Sequence, residues 1–168
     1  MAKIVLSAAR KVFKDTNGVL VLYDGLRVVE AQQAMLETQR VQDNPQWLEE
    51  PRLLSPPGAG GHPRAMAIDV SIQSADGSLL DMGTEFDYLA ENSAPDANPA
   101  HRDYAHSDHI QANRKLLDDA MLGAAKEAGI TMIALPQEWW DFRLPASVYE
   151  QYAPLSDGDL PDHMKIMD

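Results

Sequence analysis

Cysteine is absent from this chain of 168 residues. A disulfide framework, a thiolate metal centre and a cysteine nucleophile are therefore excluded, and any transition metal has to be held by His, Asp and Glu. Basic residues are scarce: 14 Lys and Arg stand against 26 Asp and Glu, for a net charge of −12. That balance argues against nucleic acid or an anionic membrane surface as partner, since both are gripped by clustered Lys and Arg. No apolar run approaches the ~20 residues of a membrane span. The opening MAKIVLSAARKVF reads as an amphipathic helix rather than a signal peptide, so the expected location is the cytoplasm. Repeats and low-complexity linkers are also missing. The length suits one domain, 1–168, with a proper core.

The pattern that is present reads as α+β, a small antiparallel sheet flanked by helices. Ile4, Val5, Ala8, Val12 and Phe13 form a helical stripe over 3–14, which Asn17-Gly18 ends. VLVLYD at 19–24 predicts a buried strand, and 28–42 a second helix. The Pro- and Gly-rich stretch 44–63 is a loop. AIDVSIQS at 67–74 alternates as a strand, with Asp76-Gly77 turning the chain toward Leu79–Met82. Residues 90–108 read as a long loop, a functional or mobile element in a compact domain. The best helix is Ile110–Ala128, stopped by Gly129. ITMIALP and EWWDFRL predict two closing strands, and the tail 145–168 a surface segment.

Two short segments carry chemistry. GGHPRAMAID at 60–69 sets His62 in a Gly-rich loop and Asp69 inside the strand that follows. Asp69 lies between Ile68 and Val70, where a carboxylate is costly unless it is paired, binds a cation or points outward on a polar face. QEWWDF at 137–142 sets Glu138 three residues before Asp141, across two tryptophans. In a strand the two carboxylates face opposite sides; in a turn they converge. Indole walls would exclude water and strengthen the electrostatics beside them. One imidazole and several carboxylates are the parts of a metal-dependent hydrolase.

The ordered set YDGLR at 23–27, GGHPRAMAID, LDMGTEFDYLAENS at 80–93, NRKLL at 113–117 and EWWDF at 138–142 resembles the VanX-type D-alanyl-D-alanine dipeptidases. These belong to a zinc peptidase superfamily that also holds D,D-carboxypeptidases and the hedgehog fold. The resemblance implies a D,D-peptidase-like fold and a metal-dependent peptidase. Its substrate would be D-Ala-D-Ala or a related short D-amino-acid peptide of the cell wall. It implies one divalent metal ion, zinc first, on His62, Asp69 and Asp141. It implies Glu138 as the general base for a metal-activated water, Arg27 as the guanidinium that stabilises the oxyanion, and Asp87 as the partner of the substrate's ammonium. These roles suit the residue types. Asn113 and Arg114 are expected to make helix-start and loop contacts.

The departures from the family pattern matter. Asp141 stands where the family has the histidine of EWWH, which predicts a less acidic bound water and a drift toward Mn or Fe. Ala65 replaces a glycine, Gly60 and Gly61 replace the residues before the histidine, and GLRVV lacks the usual aromatic and proline. The chain begins where the family has a region that helps close the cleft, so the site would admit larger peptides or need a partner subunit or oligomer. His101, His106 and His109 offer chelating spacing, or a solvated loop with Ser107 or Asp108 as N-cap. His163 reads as a surface residue. The alternative function is a non-catalytic member that binds peptides or a partner protein.

Overall fold

A computed structural model describes residues 1–165; the last three residues of the predicted tail lie outside them. The element order is α1 (Ala2–Thr16), β1 (Val19–Asp24), α2 (Val29–Leu36), α3 (Gln39–Gln42), β2 (Ala67–Gln73), α4 (Asp108–Glu127), β3 (Ile133–Ala134), β4 (Asp141–Arg143) and α5 (Ala146–Tyr149). The strands form one antiparallel sheet in the order β1-β2-β4-β3. The result is the expected α+β arrangement.

Strand β2 is the centre. Six of its seven residues are buried, because β1 and β4 cover its edges and protein covers both faces. Its alternation sends Ile68, Val70 and Ile72 one way and Asp69 and Ser71 the other. The three apolar side chains join Ile4, Ala8 and Val12 of α1 and Leu117, Met121 and Ala124 of α4 in the main core. Helix α1 ends as its sequence predicts: Asn17 adopts a left-handed φ of 56° and its N–H caps the carbonyl of Phe13.

Several expectations are corrected. Strand β1 is not buried; it is the sheet edge, and Leu22 is 56% exposed. Residues 28–42 form two short helices, not one. Strand β3 has only two residues, and EWW belongs to a turn before β4. The 44–63 loop packs with Val41 of α3 in a small core of its own, with Trp47, Leu53 and Leu54, and the Trp47 indole donates to the Ala90 carbonyl at 2.7 Å. The tail is not merely surface. Leu155 N donates to the Pro63 carbonyl at 2.7 Å, Val29 N to the Leu155 carbonyl at 3.1 Å, and the Ser156 hydroxyl to Glu30 at 2.5 Å.

The long loop is anchored by polar side chains. Arg114, only 4% exposed, donates 2.8 Å bonds to the carbonyls of Met82, Pro99 and His101. Burial lowers its pKa to about 10, which still leaves the guanidinium charged at neutral pH. Buried Asn98 donates to the Gln137 carbonyl at 2.9 Å and accepts from Ala100 N at the same distance. Arg102 holds the other side of the turn, donating to the carbonyls of Leu135 and Trp139 at 2.8 Å and Asp141 at 3.1 Å. The segment that carries Glu138 is thus clamped by charge-assisted bonds. Truncating Arg114 to Met strands three carbonyls, and we expect a loss of about 3 kcal/mol in urea unfolding. Asn113→Ala, which forfeits an exposed bond to the Asp81 carbonyl and a long one to His109, is expected to cost under about 1 kcal/mol in the same assay.

Candidate active site

The sheet register aligns three aspartates. Asp24 of β1 pairs with Asp69 of β2, and Asp69 pairs with Asp141 of β4. Like charges directly opposite one another repel, and here two of the three are buried, so the arrangement demands cations. Two arginines supply part of the answer. Arg27 Nε donates to Asp24 Oδ2 at 2.7 Å and Nη2 lies 2.5 Å from the same oxygen. Arg143, two residues along β4 and so on the same face, grips Asp141 with both Nε (2.8 Å to Oδ1) and Nη2. The central carboxylate has no such partner. Asp69 Oδ1 is buried without a hydrogen bond, and Arg27 Nη2 comes no nearer than 3.7 Å to Oδ2.

His62 completes the cluster. Its loop reaches β2 through Gly61, where an added Cβ would lie 3.0 Å from Ala67 Cβ and 3.1 Å from the Met66 carbonyl. Nδ1 donates to the Gly25 carbonyl at 2.9 Å, which leaves Nε2 facing the carboxylates. Nε2 is 3.3 Å from Asp141 Oδ2 and 3.5 Å from Asp69 Oδ1. Those spacings match the edge of a tetrahedron, about 3.3 Å for bonds of ~2.0–2.1 Å. Asp24, His62 and Asp69 also each place a donor within 4.8 Å of the others. The donor chemistry and the orphaned oxygen fit a divalent cation bound to His62 and Asp69, with Asp24 in the same donor group and Asp141 Oδ2, outside that group, 3.3 Å from His62 Nε2.

Glu138 sits in the turn before β4, closed by Asp141 N donating to the Glu138 carbonyl at 3.4 Å. The turn, rather than a strand, puts Glu138 and Asp141 on the same end of the sheet. Burial, reinforced by the negative charges of Asp141 and Asp69, pushes the Glu138 carboxyl up to about 8. Aromatic rings wall the region: Tyr23 stacks on Phe86 at 4.2 Å, and Phe86 meets Trp140 edge-on at 5.5 Å. The Trp139 indole is fixed by a 2.8 Å bond to Thr84 Oγ1.

Asp87 lies apart from the buried cluster. It is half-buried, has a left-handed φ of 60°, and pairs with Arg40 at 3.2 Å. It is still close enough to help raise the Arg27 pKa, along with Asp24 and Asp69, against the opposing effect of burial. The loop histidines do not converge. His106 bonds the Pro99 carbonyl at 2.8 Å, His101 Nδ1 accepts from Asp103 N at 3.1 Å, and His109 reaches Asn113 at 3.4 Å. Ser107 is the N-cap of α4, without a side-chain cap bond, and His163 is exposed. Asp24 and Arg143 escaped the sequence reading. Asp24 ends the β1 run and Arg143 ends β4 two residues after Asp141, positions that hydrophobic period does not mark.

Comparison with known proteins agrees with the resemblance. A family model described as D-ala-D-ala dipeptidase (Peptidase_M15) matches residues 2–156. A D-alanyl-D-alanine dipeptidase of Escherichia coli (strain K12) is 33% identical over 141 residues, covering 82% of this chain and 60% of that protein. The chain therefore spans about 60% of that relative's length. The crystal structure of the Serratia marcescens L-Ala D-Glu endopeptidase ChiX aligns with a TM-score of 0.45 and 15% identity, over 86% of this chain and 80% of that one. The chain belongs to the D-Ala-D-Ala dipeptidase family of peptidases. No helix among the described residues is long and apolar enough to cross a membrane.

Two expected outcomes follow. Burial alone would lower the pKa of His62, but the Asp141 and Asp69 carboxylates overrule it and raise the imidazole from 6.5 to about 10. A raised folded pKa stabilises below the unfolded value and loses that contribution as pH rises through the folded one. Glu138 has the same sign, between 4.5 and about 8. Chelator-stripped protein should therefore lose urea stability steadily from pH 7 to pH 10, and His62→Gln should flatten the upper part of that slope. Ala65, where the resembled family has glycine, adopts a left-handed φ of 52°. Ala65→Gly should relieve about 1 kcal/mol of backbone strain, read as a higher urea midpoint.

Proposed function

We propose that the chain is a metal-dependent peptidase that hydrolyses D-Ala-D-Ala or a related short D-amino-acid peptide from cell-wall turnover. The observation that carries this reading is the orphaned Asp69 Oδ1, buried beside His62 Nε2 in a chain of this family. His62, Asp69 and Asp141 would hold the cation. Zinc is the first choice for one imidazole with carboxylates, and Mn or Fe also suits the oxygen-rich set. When bound, the cation would polarise the scissile carbonyl and acidify a water.

The chain's own residues supply the rest. Glu138, poised near neutral pH by burial, takes a proton from the attacking water and hands it to the leaving amine. Arg27, locked by Asp24, keeps a guanidinium beside the reacting centre for the developing oxyanion. Asp87 receives the peptide's ammonium by exchanging it for Arg40. The aromatic wall of Tyr23, Phe86 and Trp140 keeps the charges in a poorly hydrated setting. The second reading, a non-catalytic binder, draws on Asp141 being already neutralised by Arg143.

Glu138→Gln separates the two. With zinc retained, measured by elemental analysis, turnover of D-Ala-D-Ala should fall by about 10²–10⁴-fold. Undiminished turnover removes Glu138 as base. Wild-type protein that takes up no metal and cleaves nothing supports the binder.

A further inference from the structure

Asp141 is wholly buried, and its carboxylate is held at both oxygens by one guanidinium from the same strand. Arg143 is itself mostly enclosed, with 16% of its side chain exposed. A carboxylate donor so near a cation site would ordinarily add a full negative charge to it. Here the formal charges cancel in pairs: Asp24 with Arg27, and Asp141 with Arg143. With His62 neutral as a ligand, the ligands and their arginine partners together present one net negative charge, that of Asp69. A divalent cation on it then keeps a net charge of about +1, the condition for a strong Lewis acid.

We propose that Arg143 is a positioning residue that makes Asp141 act with the charge of a neutral ligand, so that this site holds its cation more loosely and keeps it more electrophilic than a bare His/Asp/Asp set. The proposal rests on the cation reading above and replaces the expectation of a less acidic centre. The fork is the essential element. The Nε–Nη2 edge fixes both Asp141 oxygens in one plane and leaves Oδ2 3.3 Å from His62 Nε2. An ammonium could keep the charge but not the two-point hold. The same pairing explains how three aspartates can stand in register across three strands: each outer one carries its own arginine.

The test is zinc affinity of chelator-stripped protein, by competition with a chromogenic chelator at fixed pH, for wild type, R143K, R143Q, D141H and D141H/R143Q. Removing a buried positive charge next to the cation should tighten zinc binding by at least about tenfold in R143Q. R143K keeps the charge but loses the two-point hold, and should fall between wild type and R143Q. D141H leaves the arginine unpaired beside the cation and should bind zinc more weakly than wild type; adding R143Q should restore the affinity. The double variant buries no unpaired carboxylate, so the comparison stands even if R143Q does not fold. Unchanged or weaker binding in folded R143Q, or a D141H affinity indifferent to R143Q, overturns the role of Arg143 while leaving the cation reading intact. Wild-type protein with no zinc uptake beyond that of H62A overturns both.

Discussion

Three carboxylates side by side across a sheet are the constraint around which this molecule is organised. Asp24, Asp69 and Asp141 occupy paired positions on β1, β2 and β4, and their repulsion has to be cancelled within a poorly hydrated interior. Arginine cancels the outer two. The middle one is left to His62 and an oxygen without a partner. Asp69 meets its cationic neighbours only at 3.5 Å (His62 Nε2) and 3.7 Å (Arg27 Nη2), and its buried Oδ1 has no hydrogen bond, a costly arrangement that supports the reading of the cluster as a cation site. That inference turns a family likeness into a physical argument about this chain.

Much of the remaining architecture keeps those groups in place. Arg102 and Arg114 bind backbone carbonyls on either side of the 135–141 turn and along the preceding loop, fixing Glu138 against Asp141. The tail bonds to Pro63, next to His62. Gln32 of α2 bonds the Ala59 carbonyl at 3.1 Å and accepts from Gly58 N at 2.8 Å, holding the loop that leads into the histidine. The long 90–108 loop, free of regular structure, is thus a polar strap. Its carbonyls at Ala90, Pro99, Ala100 and His101 accept from the Trp47 indole, the Arg114 guanidinium and the Trp139 amide, as buried backbone requires.

The periodic elements were legible in the sequence because burial imposes a period. Helices α1 and α4 and strand β2 follow their apolar spacing within two residues. Strand β1 misled because its run of Val and Leu describes β-propensity, whereas its exposure depends on being at the sheet edge. The EWWDFRL run misled because a turn and a strand divide it, and only the turn brings Glu138 to the side of Asp141. The grouping of His62, Asp69, Asp141 and Glu138 came from the family resemblance, since the residues alone left Asp69 free to face outward and Glu138 and Asp141 free to face opposite sides. Asp24 and Arg143 were not legible, since their importance comes from strand register and from a neighbour two residues away, neither of which periodicity encodes. The tail's attachment was also invisible, being made mostly by backbone groups.

The most direct measurement is a crystal structure of zinc-soaked protein with anomalous scattering recorded at the metal edge. The account predicts a single strong peak about 2.0–2.2 Å from His62 Nε2 and Asp69 Oδ1, with Arg143 still on Asp141. A peak elsewhere, or Asp69 Oδ1 satisfied by Arg27 or by water with no metal beside it, would contradict it.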